Sequence, residues 1–282
     1  MFRKYLSTVL AFLLLLSCLF FLIVVKVDSN NKYEANKKEE QYSNYDVMPL
    51  DIKDMPIQTS SSSSSSSSSV EDLRPKIAFT FDADMTPYKK KELETGKTTS
   101  WYDKELIDLL IKENVEATIF ITGLWAESYP TVTKELSDNP LFEIGSHSYK
   151  HYSFTKDCYG LPYLKDSEKE EDLTKSVTTL KDITGKEVTL FRFPGGCRNK
   201  SDQDLVTRLG LKEVYWTLVS GDAFNKNENN IYNNVTKKAK ANDIVVMHLN
   251  GATSSPKTYE AMVKIIPYLK EKGFRFVKIS EL

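Results

Sequence analysis

This sequence has few cysteines, few histidines and almost no excess of either charge. The 282 residues include only 3 cysteines. That number excludes a small scaffold held together by disulfides. The 38 basic and 39 acidic residues give a net charge of −1, and no basic stripe with interleaved aromatics occurs. This balance argues against a nucleic-acid-binding protein. With 40% hydrophobic residues, the chain is long enough for one sizeable domain and a tail.

The N-terminal segment is strongly apolar. Tyr5 to Val25 contains no charged residue, and in a helix it would span about 30 Å, the thickness of a bilayer core. No small-residue cleavage site precedes Lys26. We therefore expect an uncleaved membrane anchor at residues 1–27. A cleaved signal peptide and lipidation at Cys18 are the alternatives.

A polar segment follows the apolar one. Residues 28–75 lack apolar periodicity and include an unbroken serine run from Ser60 to Ser69. Such a stretch cannot bury enough apolar surface to offset its ordering entropy. It is therefore predicted to be a disordered, flexible linker, and the folded domain is predicted at residues 76–282.

Apolar runs alternate with amphipathic stretches in this domain, which predicts α/β architecture with a parallel sheet. Predicted strands are 77–82, 117–122, 142–146, 189–193, 213–217, 243–248 and 274–279. Predicted helices are 101–113, 129–138, 166–184, 201–210, 231–241 and 257–272, and residues 87–100 are predicted to form a long polar loop. A barrel and a doubly wound sheet both fit this alternation. Polar residues at the C-terminal ends of several strands favour the barrel.

All three histidines stand where a hydrolytic metal site would need them. His147 and His151 are four residues apart, and His248 closes an apolar run. Asp82 and Asp84 end another apolar run and leave an extended chain on the same face. Two imidazoles and a carboxylate suit a zinc-like ion with an open position for water. The second carboxylate and the third histidine remain as base and acid. The alternatives are surface histidines and an Asp84 that only caps a turn.

Two further segments accompany this set. Arg192 ends a predicted strand, and its rigid fork suits holding a carboxylate such as Asp82. The glycines at positions 195 and 196 let a backbone N–H approach a substrate oxygen closely. Asp222 is a candidate hydrogen-bond partner that would favour the protonated form of His248. An ordinary strand-to-helix loop and a turn aspartate are the alternatives.

From about Lys76 to Leu282 the chain resembles the polysaccharide deacetylases of the NodB-homology type, carbohydrate esterase family 4. The five motifs of that family occur in order, as Thr80 to Asp84, His147 to His151, Arg192 to Gly195, Asp222, and Val246 to His248. The resemblance implies a distorted (β/α) barrel of about seven parallel strands. It also implies a divalent metal, usually Zn²⁺ with Co²⁺, Mn²⁺, Ni²⁺ or Fe²⁺ as alternatives, and removal of acetyl groups from sugars.

The resemblance also implies a role for each motif residue. Asp82 would be the base, His248 the acid, Asp84, His147 and His151 the metal ligands, and the Gly195 N–H the oxyanion donor. The first motif departs from the family pattern, because Asp82-Ala83-Asp84 replaces adjacent aspartates. An Asp-X-Asp version also occurs among relatives that include cyclic-imide hydrolases.

The fourth motif departs as well, because Ala223-Phe224 follows its aspartate where tryptophan is usual. The substrate groove is therefore expected to have different walls. Four aromatic residues are candidates for stacking on sugar rings, with burial in the core as the alternative. They are Trp101, Trp125, Tyr149 and Phe224.

The sequence as a whole predicts a membrane-anchored, metal-dependent N-deacetylase acting on cell-wall or exported polysaccharide. Alternatives are an O-acetyl esterase or cyclic-amide hydrolase on small substrates, and a non-catalytic sugar-binding module. The expected partners are an N-acetylated polysaccharide and, through the N-terminal helix, a membrane, but no nucleic acid. The expected location is the cell membrane, with a single span and the catalytic domain outside the cytoplasm. A disulfide between Cys158 and Cys197 stays open, because it needs Cα atoms within about 7 Å.

Overall fold

A computed structural model describes residues 73–251 and 255–282. The predicted membrane anchor at 1–27 and all but the last three residues of the predicted linker at 28–75 lie outside the described residues. In the ranges that are described, no helix has both the length and the apolar content needed to cross a bilayer.

The domain is built on a parallel sheet of eight strands. They are β1 (Lys76–Ala83), β2 (Ala117–Ile121), β3 (Phe142–Ser146), β4 (Leu190–Phe191), β5 (Lys212–Glu213), β6 (Leu218–Val219), β7 (Asp243–His248) and β8 (Arg275–Phe276). Seven strands pair in the order β5-β4-β3-β2-β1-β7-β6, and β8 pairs with the start of β1. This order follows the chain around a ring, without the reversal of a doubly wound sheet. No pairing joins β5 to β6 among the described residues, so the sheet is a half-barrel consistent with the predicted distorted (β/α) barrel.

Eight α-helices connect the described strands. They are α1 (Pro87–Glu94), α2 (Lys104–Lys112), α3 (Gly123–Ser128), α4 (Pro130–Asp138), α5 (Asp166–Thr184), α6 (Lys200–Arg208), α7 (Glu228–Thr236) and α8 (Thr258–Glu271). The prediction of a loop throughout residues 87–100 is wrong. Thr86 accepts a hydrogen bond from the Lys89 N–H, and proline takes the first helical position. These are ordinary helix-starting signals.

The predicted strand at 213–217 is wrong except at its first residue, because β5 ends at Glu213 and β6 begins only at Leu218. Between them Tyr215 and Trp216 stack with ring centroids 4.3 Å apart. A Cβ placed on Gly196 would meet the Trp216 ring at 2.5 Å. Residues 214–217 therefore lie outside the sheet, and the rings of Tyr215 and Trp216 pack against the turn that contains Gly196.

The central strands are buried on both faces. All of β2 and all but the first residue of β1 are buried, as expected for strands inside a parallel sheet covered by helices. Trp101 and Trp125 also belong to this core, with 4% and 0% of their surfaces exposed. Of the two alternatives that the sequence left open for these residues, the structure therefore supports burial in the core.

The register of the strands positions the site. Asp82 in β1 is the pairing partner of His248 in β7 and of Phe120 in β2. Because parallel strands end at a common edge, the residues that follow β3 and β4 lie at the same rim of the sheet as Asp82 and His248. His147 and Arg192 are those residues.

Candidate active site

The Asp82 carboxylate is buried against a buried guanidinium. Arg192 Nη1 donates to Asp82 Oδ1 at 2.8 Å, and its Nε donates to the Val214 carbonyl oxygen at 3.3 Å. The guanidinium carbon lies 4.2 Å from the centroid of the Phe120 ring. Burial raises the pKa of Asp82, but the charge and the hydrogen bond of Arg192, together with His248, outweigh burial and hold that pKa below its ordinary value. The carboxylate is therefore ionised at neutral pH.

Asp84, His147 and His151 point their ligand atoms at one another. These atoms all lie within 4.8 Å. Asp84 Oδ1 lies 3.4 Å from His147 Nε2 and 3.3 Å from His151 Nε2. Ligands bound tetrahedrally at about 2.0–2.2 Å from zinc would be separated by about 3.3–3.6 Å. Asp84 Oδ1 is buried and accepts no hydrogen bond from the described residues. These three residues therefore fit a divalent cation.

Both histidines of this group are neutral. Burial lowers the pKa of His147 and that of His151, the latter to about 4. The Nδ1 of His147 lies 2.8 Å from the carbonyl oxygen of Arg192. A carbonyl can only accept, so Nδ1 carries the proton and Nε2 presents its lone pair to the site.

Helix α5 holds the loop that carries the histidine pair. Ser148 and His151 have left-handed backbones, with φ of 69° and 54°, which are unfavourable for residues other than glycine. Asp172 accepts from the Tyr149 N–H at 2.8 Å, and the Ser176 hydroxyl donates to the Ser148 carbonyl at 2.8 Å. Sequence reasoning missed this pair, although two polar residues four apart on a predicted helix face were a usable signal.

Asn250 fixes the orientation of the Asp84 carboxylate. The Asp84 N–H donates to Asn250 Oδ1 at 2.8 Å, and Asn250 Nδ2 donates to Asp84 Oδ2 at 2.9 Å. Asn250 is fully buried. Since Oδ2 is engaged, Oδ1 is the oxygen that faces the histidines. Sequence reasoning missed Asn250 as well, because its contact with Asp84 exists only after β7 has paired with β1.

His248 is paired with Asp222. The Asp222 Oδ1 lies 2.9 Å from His248 Nδ1, and Oδ2 accepts from the His248 backbone N–H at 2.8 Å. Ser220 and Thr258 hydroxyls also donate to this carboxylate. Burial lowers the pKa of His248, but the Asp222 carboxylate outweighs it and raises that pKa to about 10. The Nε2 lies 4.0 Å from Asp84 Oδ2, so a protonated imidazole faces the carboxylate of the candidate metal site.

The turn at residues 194–196 requires glycine. Gly195 and Gly196 have φ of 62° and 70°. A Cβ on Gly195 would lie 2.7 Å from Cys158 Sγ, so no larger residue fits without displacement. Cys158 and Cys197 form a disulfide with a Cα–Cα distance of 6.1 Å. The pairing that the sequence left open is therefore made, and it ties the segment after the histidine pair to this turn.

The disulfide between Cys158 and Cys197 determines how many free thiols we expect before and after reduction. The Cys18→Ser variant, denatured without reductant, is expected to show no free thiol, and two after reduction. Ellman's reagent measures both values. Two free thiols before reduction would contradict the pairing of Cys158 with Cys197.

The two aspartates are expected to differ when each is changed to asparagine. Asp82→Asn removes the charge beside Arg192 and should lower kcat by about 10²–10⁴-fold, with one metal ion still bound per chain. Asp84→Asn should weaken metal binding by more than the roughly 10- to 100-fold that loss of an outer partner costs. Metal titration by calorimetry separates the two. The opposite pattern would exchange their roles, and equal weakening would make Asp82 a ligand too.

Seven of the eight residues predicted for the site form one connected group of side chains. They are Asp82, Asp84, His147, His151, Arg192, Asp222 and His248. The eighth, Gly195, lies on the turn three residues after Arg192. Their roles in catalysis remain predictions.

Known proteins resemble this chain in sequence. The family model described as polysaccharide deacetylase matches residues 69–214. A peptidoglycan-N-acetylglucosamine deacetylase of Bacillus cereus is 32% identical over 183 residues, which cover 64% of this chain and 81% of that protein. A peptidoglycan-N-acetylmuramic acid deacetylase of Bacillus subtilis is 29% identical over 186 residues, which cover 64% of this chain and 66% of that protein.

Solved structures share the fold. The crystal structure of a peptidoglycan N-acetylglucosamine deacetylase in complex with a naphthyl-substituted N-hydroxybenzamide matches with a TM-score of 0.61 at 24% identity, covering 74% of this chain and 88% of that one. A family 4 pseudoenzyme from Bacillus anthracis matches with a TM-score of 0.59 at 22% identity, covering 75% and 66%. Identities this low show the fold alone, but the sequence matches extend over more than half of the chain. From these matches it follows that the chain belongs to the polysaccharide deacetylase family.

Proposed function

We propose that this protein is a metal-dependent hydrolase that removes N-acetyl groups from amino sugars of a cell-wall or exported polysaccharide of the peptidoglycan or chitin type. One observation carries the proposal. An ionised Asp82, a protonated His248 and a neutral histidine pair with Asp84 lie in contact at one rim of the sheet. Hydrolysis of an amide needs a base, an acid and an electrophile. Asp82 and His248 are candidates for the base and the acid, and the histidine pair with Asp84 would hold a metal ion as the electrophile.

Asp84, His147 and His151 would hold the metal. Two imidazoles and one carboxylate suit Zn²⁺, with Co²⁺, Mn²⁺, Ni²⁺ and Fe²⁺ as alternatives. When bound, such an ion supplies Lewis acidity, which polarises the acetyl carbonyl and makes water more acidic.

The remaining steps belong to the residues of this chain. Asp82 accepts a proton from the attacking water, and Arg192 keeps the carboxylate ionised and oriented. The Gly195 N–H donates to the oxygen that becomes negative. His248 donates its Nε2 proton to the departing nitrogen, because an amide nitrogen leaves poorly as an anion. The products are acetate and the free amino sugar.

Acetate release tests this function. Purified protein should release acetate from N-acetylglucosamine oligomers and from N-acetylated peptidoglycan, with one new amine for each acetate. A chelator should stop the reaction and added Zn²⁺ should restore it, while Asp82→Asn serves as the inactive control. Release only from O-acetyl esters, or hydrolysis only of cyclic imides, would favour the small-substrate alternatives. Oligomer binding without release would favour a non-catalytic sugar-binding module.

The proposed location is the outer face of a cell membrane, with the N-terminal segment as a single-span anchor. The disulfide supports it, because such bonds persist in oxidising compartments and are rare in the cytosol. The peptidoglycan-directed activities in the names of the relatives also support it. In fractionated cells the full chain should sediment with membranes, and protease added to intact spheroplasts should remove the domain. Protection from protease would overturn the proposal.

The pH dependence of kcat should change when the negative charge of Asp222 beside His248 is removed. Asp222 is the main group that raises the pKa of His248, so Asp222→Asn should lower that pKa. His248 would then lose its proton at lower pH, and the alkaline limb of the plot of kcat against pH should shift to lower pH. Rates measured from pH 5 to 11 test this, with Asp243→Asn at the other end of β7 as a control. An unmoved limb would show that another group controls it.

A further inference from the structure

Two exposed aromatic rings lie together on the surface of the domain. Tyr159 exposes 44% and Phe224 exposes 52% of its surface. Their ring centroids are 6.3 Å apart and their planes differ by 36°. We call these two residues the aromatic shelf. Neighbouring exposed apolar groups of this size often mark a binding surface.

The aromatic shelf adjoins both halves of the candidate active site. A Cβ placed on Gly195 would lie 3.0 Å from Tyr159 Cδ2, so this ring packs against the turn that carries the predicted oxyanion donor. Phe224 follows Asp222, the partner of His248, by two residues. The two rings therefore join the oxyanion turn to the loop that holds the acid.

The position of Tyr159 is determined by its neighbours. Cys158 is buried and bonded to Cys197 on the far side of the turn. The Leu161 N–H donates to the Cys158 carbonyl at 2.8 Å, and Tyr159 itself has a left-handed backbone with φ of 51°. A bulky residue in that conformation is uncommon. A ring held in place loses little conformational entropy when it binds a ligand.

The other aromatic candidates are less suited to bind a sugar. Trp101 and Trp125 are buried in the core. The Tyr149 ring packs against Gly123 on one side, and Lys175 Nζ lies 3.9 Å from its centroid. Of the four aromatics that the sequence proposed, Phe224 alone is strongly exposed in the structure.

We propose that the aromatic shelf binds the sugar ring adjacent to the one that is deacetylated. A pyranose has a face of C–H groups with hydroxyls around its edge, and an aromatic face offers it apolar area while the edge stays hydrated. The ligand is therefore a chain of at least two N-acetylated sugars. This inference rests on the proposed deacetylase function and adds to it the residues that bind a second sugar ring.

Chain-length dependence and two substitutions test the shelf. The probes are the N-acetylglucosamine tetramer and an activated aryl acetate, which has no second ring. Tyr159→Asn suits the left-handed backbone but removes the ring, and Phe224→Ala removes the other. Each should raise KM for the tetramer by about 3- to 10-fold, the worth of one stacked ring, with a smaller effect on the ester. Tyr159→Phe keeps the ring and should restore the tetramer KM.

Tyr163→Ala provides the matched control. Tyr163 lies in the same loop and is 45% exposed, but it lines a separate cavity with Phe154, Lys156 and Lys169. The Tyr163→Ala substitution should leave the KM for the tetramer and the KM for the ester unchanged. Melting temperatures of all variants show whether each one folds.

The outcomes separate the shelf from the proposed function. An unchanged tetramer KM in both variants, equal losses on tetramer and ester, or an equal loss in Tyr163→Ala would overturn the shelf. If the wild type binds the tetramer in calorimetry but releases no acetate, the proposed function fails. The shelf then stands only if both substitutions weaken that binding. A wild type that neither binds nor hydrolyses the tetramer overturns both.

Discussion

His147→Ala is expected to yield a folded protein that binds no stoichiometric metal and has lost turnover. His147 is one of the three proposed metal ligands, and its imidazole is buried with 1% of the side chain exposed. Its removal leaves the Arg192 carbonyl without the Nδ1–H partner, a loss of about 1–3 kcal/mol. A domain whose unfolding free energy is about 5–15 kcal/mol tolerates that. Metal analysis of the dialysed protein and its melting curve measure both effects.

His248→Ala is the matched control for this experiment. It removes an imidazole from the same rim, but from a residue outside the three proposed ligands, so it should retain one ion per chain. If purified His147→Ala also retains one tightly bound ion and normal turnover, the metal site is wrongly placed. If His248→Ala loses the ion as well, His248 belongs to the ligand set.

His248→Ala should also lose about 10²–10⁴-fold in turnover on N-acetyl sugars, the usual worth of a positioned proton donor. The raised pKa of His248, about 10, keeps the imidazolium available at neutral pH. An amine must be protonated as it departs. An aryloxide of low pKa leaves without help.

The comparison with an activated aryl acetate tests the role of His248. On this ester the same variant should lose much less, because Asp82 and the Gly195 N–H still act there. Initial rates on both substrates, measured at one pH and one metal concentration, provide the test. An equal loss on both would mean that His248 binds substrate or supports the metal ligands, and another residue would have to donate the proton.

Local patterns in the sequence were sufficient for much of the fold. The apolar run at 77–82 predicts β1 almost to its ends, and the amphipathic stretch at 166–184 has the bounds of α5. Gly185 ends that helix with φ of 74°, as a glycine at a helix C-terminus commonly does. These elements were predictable because the spacing of apolar residues along the chain shows which face of a helix or strand is buried.

Elements without such spacing were missed or mis-sized. The helix at Pro87–Glu94 was missed because its residues are mostly polar, and its start depends on capping by Thr86. The strands at Leu190–Phe191 and Arg275–Phe276 are shorter than predicted. Strand length depends on how many residues pair with a neighbour. An apolar run does not contain that information.

By itself the sequence determined which chemical groups this protein possesses and which of them lie close along the chain. Asp82 and Asp84 stand two residues apart at the end of one apolar run, and two histidines stand four residues apart. Only the tertiary structure decided which distant groups meet. Arg192 bonds Asp82 across 110 residues and Asn250 orients Asp84 across 166. Pairing runs from β1 through β2 and β3 to β4, which Arg192 follows, and on its other side β1 pairs with β7, after which Asn250 comes. Periodicity records which face of an element is buried, whereas the register between strands sets which ends lie side by side.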